Sequence, residues 1–241
     1  MNPFAPLTQR HIAEEQMDAA DLPVARYDRV LRDLARVNAV TMAPRATLAF
    51  LDAAHVRHAR ATPWRILDVG YGQGDMLRRI ARWAARRGQD VTLVGIDLNT
   101  KSAASARAAT PPDMTIDWRT GDYRDLAGAN GPWGWDIVLS SLVTHHMSDG
   151  ERDNFLEFME GEAALGWMVN DLHRHRLAYL GFPWLARLMR VDNIVRADGQ
   201  LSIARSFRRH EWRAMLARAG LENAAKIVRR FPFRLCVERL K

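Results

Sequence analysis

The sequence predicts an α/β fold: a doubly wound, seven-stranded sheet, mostly parallel with an antiparallel last strand, plus a helical cap. Three observations predict it. From Arg65 onward, short apolar runs alternate with amphipathic helical stretches, the pattern of strands joined by crossover helices. The runs are continuously apolar, as strands covered on both faces are. The last two runs are joined only by "FPF" (231–233), too short for a crossover, so they form an antiparallel hairpin.

The elements follow in order. "RILDV" (65–69) is the first strand. A helix over 74–87 follows, with Ile80, Trp83 and Ala84 on its inner face and Gly88 as its stop. "VTLVGI" (91–96) is the second strand, and a short helix over 100–108 ends at "TPPD". "MTIDWR" (114–119) and "WDIVLS" (135–140) are the third and fourth strands. Ser148 and Glu151 form a capping box for a helix over 149–160. "LGWMVN" (165–170) is the fifth strand, and a helix over 207–219 stops at Gly220. "AAKIVRR" and "FRLCVERL" close the chain.

This alternation occupies residues 60–241. Residues 1–59 stand outside it and read as a helical cap with stops at Pro23 and Pro44; residues 172–206 read as a cap insertion. In doubly wound sheets the ligand crevice lies at the carboxyl ends of the strands, and both segments are expected to cover it.

Composition narrows the function. A chain of 241 residues with 48% hydrophobic content suits one sizeable soluble domain. The N-terminus lacks a secretory signal pattern, and no window reaches about 18 apolar residues. Cys236 is the only cysteine, which excludes an intrachain disulfide, argues against a cysteine-built zinc site and fits a reducing cytoplasm. The net charge of +7 is carried by scattered arginines. "RRIARWAARR" (78–87) reads as the wet side of a helix, so no specific nucleic-acid partner is expected.

The most informative stretch is "LDVGYGQGDM" (67–76), with Gly70, Gly72 and Gly74 between Asp68 and Asp75. A dinucleotide fingerprint would need glycine at 75. Asp75 would instead repel a pyrophosphate at the helix start. No G-K-[ST] follows, so this is not a P-loop. The turn suits a positively charged ligand without phosphate. S-adenosylmethionine fits: it carries a sulfonium, an ammonium and one carboxylate that backbone N–H groups can hold.

"LDVGYGQGD", "VGIDLN" and "TGDYRDL" resemble, in order and spacing, the motifs of class I S-adenosylmethionine-dependent methyltransferases. The resemblance covers about 65–241 and implies a Rossmann-like sheet. It implies that Asp97, 29 residues after Asp68, binds the ribose hydroxyls beside Leu98. It implies that Asp122 reads the adenine amine, beside the N–H of Tyr123. Asp68, Gly70, Tyr71, Gly72, Gly74, Asp75 and Ser140 complete the implied cofactor site. The whole chain is also similar to a bacterial group of small-molecule methyltransferases related to those of ubiquinone and menaquinone biosynthesis. The shared marks are "SSLVTHHMSD", "VNDLHRHRLAYLGF", "SIARSFRRHEW" and "FPFRLCV". Members are often associated with polyketide pathways making phenolic lipids or pigments. This implies O-methylation of a phenolic hydroxyl in secondary metabolism, with C-methylation of a quinone precursor as the alternative, and it allows a homodimer. A nucleic-acid methyltransferase is the weaker reading, since "SSLV" stands where amine-methylating enzymes of that kind carry [DNS]-P-P-[YF].

His145 and His146 follow the fourth strand at the ligand edge. Either His146 or His145 acts as the base that takes a proton from the acceptor, or they pack against the cofactor. Asn170, Asp171, His173 and His175 follow the fifth strand on the same edge, with Tyr179 beyond. They are substrate-pocket candidates, or else an Asp–His pair that orders the loop. No metal is expected from these histidines. "LAYLGFPWLARLM" (177–189) is either core packing or the wall of a hydrophobic substrate pocket opening toward a membrane surface.

Overall fold

The computed structural model describes residues 7–58, 62–128 and 134–241. The first six residues of the expected cap, and the expected boundary at 59–60, lie outside the described residues.

Seven strands form one sheet: β1 (Trp64–Val69), β2 (Val91–Asp97), β3 (Asp117–Thr120), β4 (Trp135–Ser141), β5 (Ala163–Leu172), β6 (Lys226–Arg230) and β7 (Arg234–Leu240). Their order is β3-β2-β1-β4-β5-β7-β6. The strands β1 to β5 pair in parallel, and β7 runs antiparallel to both β5 and β6. The antiparallel strand is therefore the last one, as expected, but it is not at the edge. The hairpin folds back so that the more apolar β7 inserts beside β5, leaving "KIVRR" outermost. The third strand is shorter than expected. Met114 is held in a turn by Pro111, and pairing with β2 begins only at Asp117.

Eight helices complete the described fold: α1 (Val24–Val40), α2 (Ala43–His58), α3 (Asp75–Arg87), α4 (Ser102–Ala108), α5 (Asp149–Glu162), α6 (Arg176–Leu188), α7 (Asn193–Arg205) and α8 (Arg209–Arg218). The Ser148–Glu151 capping box forms, and Gly88 caps α3 in the left-handed conformation. Pro23 and Pro44 start helices rather than stop them. Pro23 is the residue before α1, and Pro44 sits in the first turn of α2, where no N–H is needed.

The sheet is covered on both faces. Phe155, Phe158, Trp212 and Leu216 of α5 and α8 pack on one. Leu77 and Ile80 of α3 and Phe50, Leu51 and Ala54 of α2 belong to the other core. The N-terminal segment thus splits by its side chains. The small, apolar face of α2 joins the main core, and α1 joins α6 and α7 as the cover. Tyr27, Val30 and Leu31 of α1 cluster with Ile194 and Val195 of α7. Of the described helices, none is long and apolar enough to cross a membrane.

Candidate active site

The chain reverses direction across the sheet between β1 and β4, and a crevice opens at the carboxyl ends of those strands. It is a cavity of about 690 Å³. The glycine turn after β1 forms one end. Gly70, Gly72 and Gly74 all have positive φ (77°, 55° and 74°). Their surroundings differ. A Cβ on Gly70 would lie 2.2 Å from a Val143 methyl, and one on Gly74 would lie 2.1 Å from the Trp118 ring. A Cβ on Gly72 would meet only Leu31, at 3.7 Å. Gly70 and Gly74 permit packing; Gly72 keeps its backbone open to the cavity.

Three carboxylates gather here. Asp97, at the end of β2, accepts from the Gly72 N–H (2.8 Å) and the Asn99 N–H (2.9 Å). Burial raises its pKa. Asp75 opens α3, and burial raises it too, against the pull of Arg79 and Arg78. Asp68 is almost wholly buried, and its Oδ1 has no hydrogen-bond partner. Burial, with Asp75 and Asp97 nearby, pushes Asp68 well above the usual carboxylate range. Such a cluster is short of positive charge. A ligand bearing an ammonium and a sulfonium supplies what the orphaned Asp68 oxygen lacks, so these residues fit S-adenosylmethionine.

Of the other expected cofactor residues, Tyr71, Leu98, Asp122 and Tyr123 also line the cavity. The Tyr71 hydroxyl donates to the Arg119 carbonyl (3.1 Å), while its ring packs on Trp118. The Asp122 side chain accepts from Arg124 Nη2 at 2.6 Å and from the Arg124 N–H. Each of its oxygens carries one of these bonds and keeps a further acceptor site. Ser140 lies away from the cavity, buried, with its hydroxyl on the Val69 carbonyl.

The loop after β4 carries the two histidines, and their settings diverge. His145 is buried. Its Nδ1 lies 2.7 Å from Asp171 Oδ1, and its N–H donates to Asp171 Oδ2. Its Nε2 faces Glu15 Oε1 at 3.7 Å. Burial opposes a charge here, yet the two carboxylates prevail and raise the His145 pKa to about 9. Asp171 is likewise held down at about 2 against its burial. Held between Asp171 and Glu15, His145 is placed to favour its charged form. His146 is partly exposed and lines the cavity. Its ring lies 4.3 Å from that of His145, its Nε2 is 3.7 Å from Glu15 Oε1, and its Nδ1 is 3.4 Å from Asp18 Oδ2.

Glu15 and Asp18 are functional candidates that sequence reasoning missed. They sit in "AEEQMD", where nothing periodic distinguishes them from surface acids. The structure draws this strap across α7. Asp198 accepts from the N–H groups of Gln16 and Met17, Ser202 donates to Glu15 (2.6 Å), and Arg205 donates to the carbonyls of Ala13 and His145.

Of the candidates at the end of β5 and after it, only Asn170 lines the pocket. Its amide donates to Ala43 and Thr47, tying β5 to α2. Asp171 serves His145. His173, His175 and Tyr179 are not among the lining residues. Burial and nearby arginines lower His173 to about 4. His175 caps α6 through the Leu177 N–H and stacks on Phe233. In their place, Leu177, Phe182 and Leu185 of α6, Leu34 of α1 and Phe233 give the cavity an apolar lining, and Leu31 of α1 lies against the glycine turn.

Residues 66–160 match a family model described as a methyltransferase domain. A probable fatty acid methyltransferase of Mycobacterium tuberculosis is 32% identical over 108 residues, 44% of this chain and 23% of that protein. The match thus spans under a quarter of that relative's length. Among solved structures, the plantazolicin methyltransferase BpumL in complex with S-adenosylhomocysteine is similar, with a TM-score of 0.60 and 13% identity, covering 90% of this chain and 98% of that one. So is magnesium protoporphyrin IX methyltransferase from Synechocystis PCC 6803 with bound S-adenosylmethionine, with a TM-score of 0.51 and 16% identity, covering 94% and 88%. At these identities the likeness is one of fold.

Proposed function

We propose that this chain, which carries a class I S-adenosylmethionine-dependent methyltransferase domain, O-methylates the hydroxyl of a small hydrophobic phenol. The observation that carries the reading is the position of His146, on the wall of one cavity that is also lined by the acidic glycine turn and by apolar side chains of α1 and α6. The resemblance to polyketide-associated enzymes supports a phenol of secondary metabolism, and the name of the fatty acid methyltransferase relative supports a lipophilic one.

When bound, S-adenosylmethionine supplies an electrophilic methyl on a sulfonium sulfur that leaves as a thioether. The chain's residues do the rest. Asp97 would hold the ribose hydroxyls, Asp68 and Asp75 would balance the positive charges, and the Gly72 backbone would allow close approach. Leu34, Phe182 and Leu185 hold the acceptor's apolar body and exclude water. With Nδ1–H turned to Asp18, His146 presents Nε2 as the proton acceptor for the phenol hydroxyl. The imidazolium so formed lies between Glu15 and Asp18, which stabilise it. A base of this kind contributes roughly 10²–10⁴-fold. His145, buried between Asp171 and Glu15, holds Glu15 and the loop in place rather than taking the proton.

The test is incubation with S-adenosylmethionine and a series of hydrophobic phenols, reading S-adenosylhomocysteine and product mass. The reading requires turnover with the free phenol and none with the same compound pre-blocked at the hydroxyl. Methylation of carbon, or turnover only with RNA, would replace it.

A further inference from the structure

The inner face of α6 lines the cavity with Ala178, Phe182 and Leu185. Its outer face is apolar as well. Leu177, Leu180, Trp184 and Leu188 recur at helical spacing and are 66%, 40%, 72% and 82% exposed. The β6–β7 hairpin extends this stripe. Phe231 is 79% exposed and Phe233 37%, and Phe233 stacks at 4.9 Å on His175, the cap of α6. These six are the majority of the eleven large apolar side chains exposed among the described residues. Four share one helix face, and Leu177 and Phe233 also line the cavity, which marks a contact surface rather than scattered exposure.

The two segments are basic in sequence, with acids only beyond their ends. From His173 to Val191 there is no Asp or Glu, while Arg176, Arg187 and Arg190 flank the stripe. From Lys226 to Val237 there is again no acid; Arg229 stands near the hairpin tip, and Arg230, next to it, pairs with Glu238.

We propose that α6 and the hairpin tip dock on the surface of an anionic lipid bilayer. The helix has 13 residues, about 20 Å, too short to span a bilayer but suited to lie in its interface. The apolar stripe enters the acyl boundary, and the arginines meet the anionic headgroups. A second copy of the chain fits this face less well, because a two-fold contact sets the same arginines against each other. The pocket mouth, lined by Leu177 and Phe233, then faces the bilayer, and a lipophilic acceptor enters without crossing water. The delivery step rests on the methyltransferase reading; the docking does not.

The experiment is flotation of the whole protein with vesicles, without cofactor or acceptor. One set is phosphatidylcholine alone, and the other contains phosphatidylglycerol. Binding is expected on the anionic vesicles, about tenfold or more stronger than on the neutral ones, and weakened by salt. The exposed double variant Trp184→Glu, Leu188→Glu is expected to lose about tenfold or more of that binding with unchanged circular dichroism. It keeps its turnover of a short water-soluble phenol and loses turnover of an acceptor embedded in vesicles. Failure of the wild type to float, or unimpaired binding by the double variant, overturns the docking whether or not the protein methylates phenols. So does a dimer that the double variant abolishes, which would assign the face to a second copy.

Discussion

Nδ1 of His145 lies 2.7 Å from Oδ1 of Asp171, and both side chains are sealed from water. Asp171 also accepts from the Thr144 hydroxyl at 2.5 Å and the Leu172 N–H at 2.7 Å. One carboxylate at the end of β5 thus holds the loop that follows β4. On the far side of His145, Glu15 draws the N-terminal strap to the same point. Three distant stretches of chain meet at one imidazolium, and His146 is aimed from it.

The pair makes stability depend on pH in a stated direction. The His145 pKa is raised to about 9, so its contribution is complete below its ordinary value near 6.5 and is lost as pH rises through about 9. Asp171 is lowered to about 2, so its contribution is complete above its ordinary value near 3.9 and is lost as pH falls through about 2. Denaturation midpoints should therefore fall on the alkaline side in the wild type. Asp171→Asn leaves a buried group uncompensated and should cost about 3–5 kcal/mol. It should also flatten the alkaline fall. An equal alkaline fall in both proteins would show that this pair is not its source.

Asp97 accepts two backbone N–H groups and still faces the cavity. Asp97→Ala should weaken S-adenosylmethionine binding by about 2–3 kcal/mol, the scale of a lost charged hydrogen-bond partner. Titration calorimetry on the folded variant checks this, and unchanged affinity would remove Asp97 from the cofactor site.

The glycines separate packing from binding. Gly72→Val adds strain of about 1–3 kcal/mol at positive φ but meets only Leu31. It should stay folded and lose cofactor affinity, because its side chain fills ligand space. Gly70→Val drives into Val143 and should lower the melting temperature much further. The distinction fails if Gly72→Val binds normally.

Much of this was legible in the sequence, for physical reasons. The glycine turn, Asp97 and the Ser148 capping box are local, and local patterns survive in a linear reading. So is the crossover alternation that names the sheet. The place of β7 between β5 and β6 was not legible, because a hairpin can fold back either way along an edge. The role of α2 was hidden for a similar reason. Its apolar face does not say whether it covers a sheet or a crevice. Asp171 was expected near a histidine, but its choice of His145 over His146 depends on how the loop after β4 turns. Glu15 left no trace, since its partners Ser202 and His145 lie 187 and 130 residues away.

The most direct test of the account is turnover by His146→Ala against the wild type, with the best phenol and saturating S-adenosylmethionine. Proton removal by His146 predicts that kcat falls by roughly 10²–10⁴-fold. Cofactor affinity should stay within about twofold, because the proton moves only in the transition state. A folded His146→Ala protein with near wild-type kcat would contradict the account and leave alignment alone as the source of catalysis.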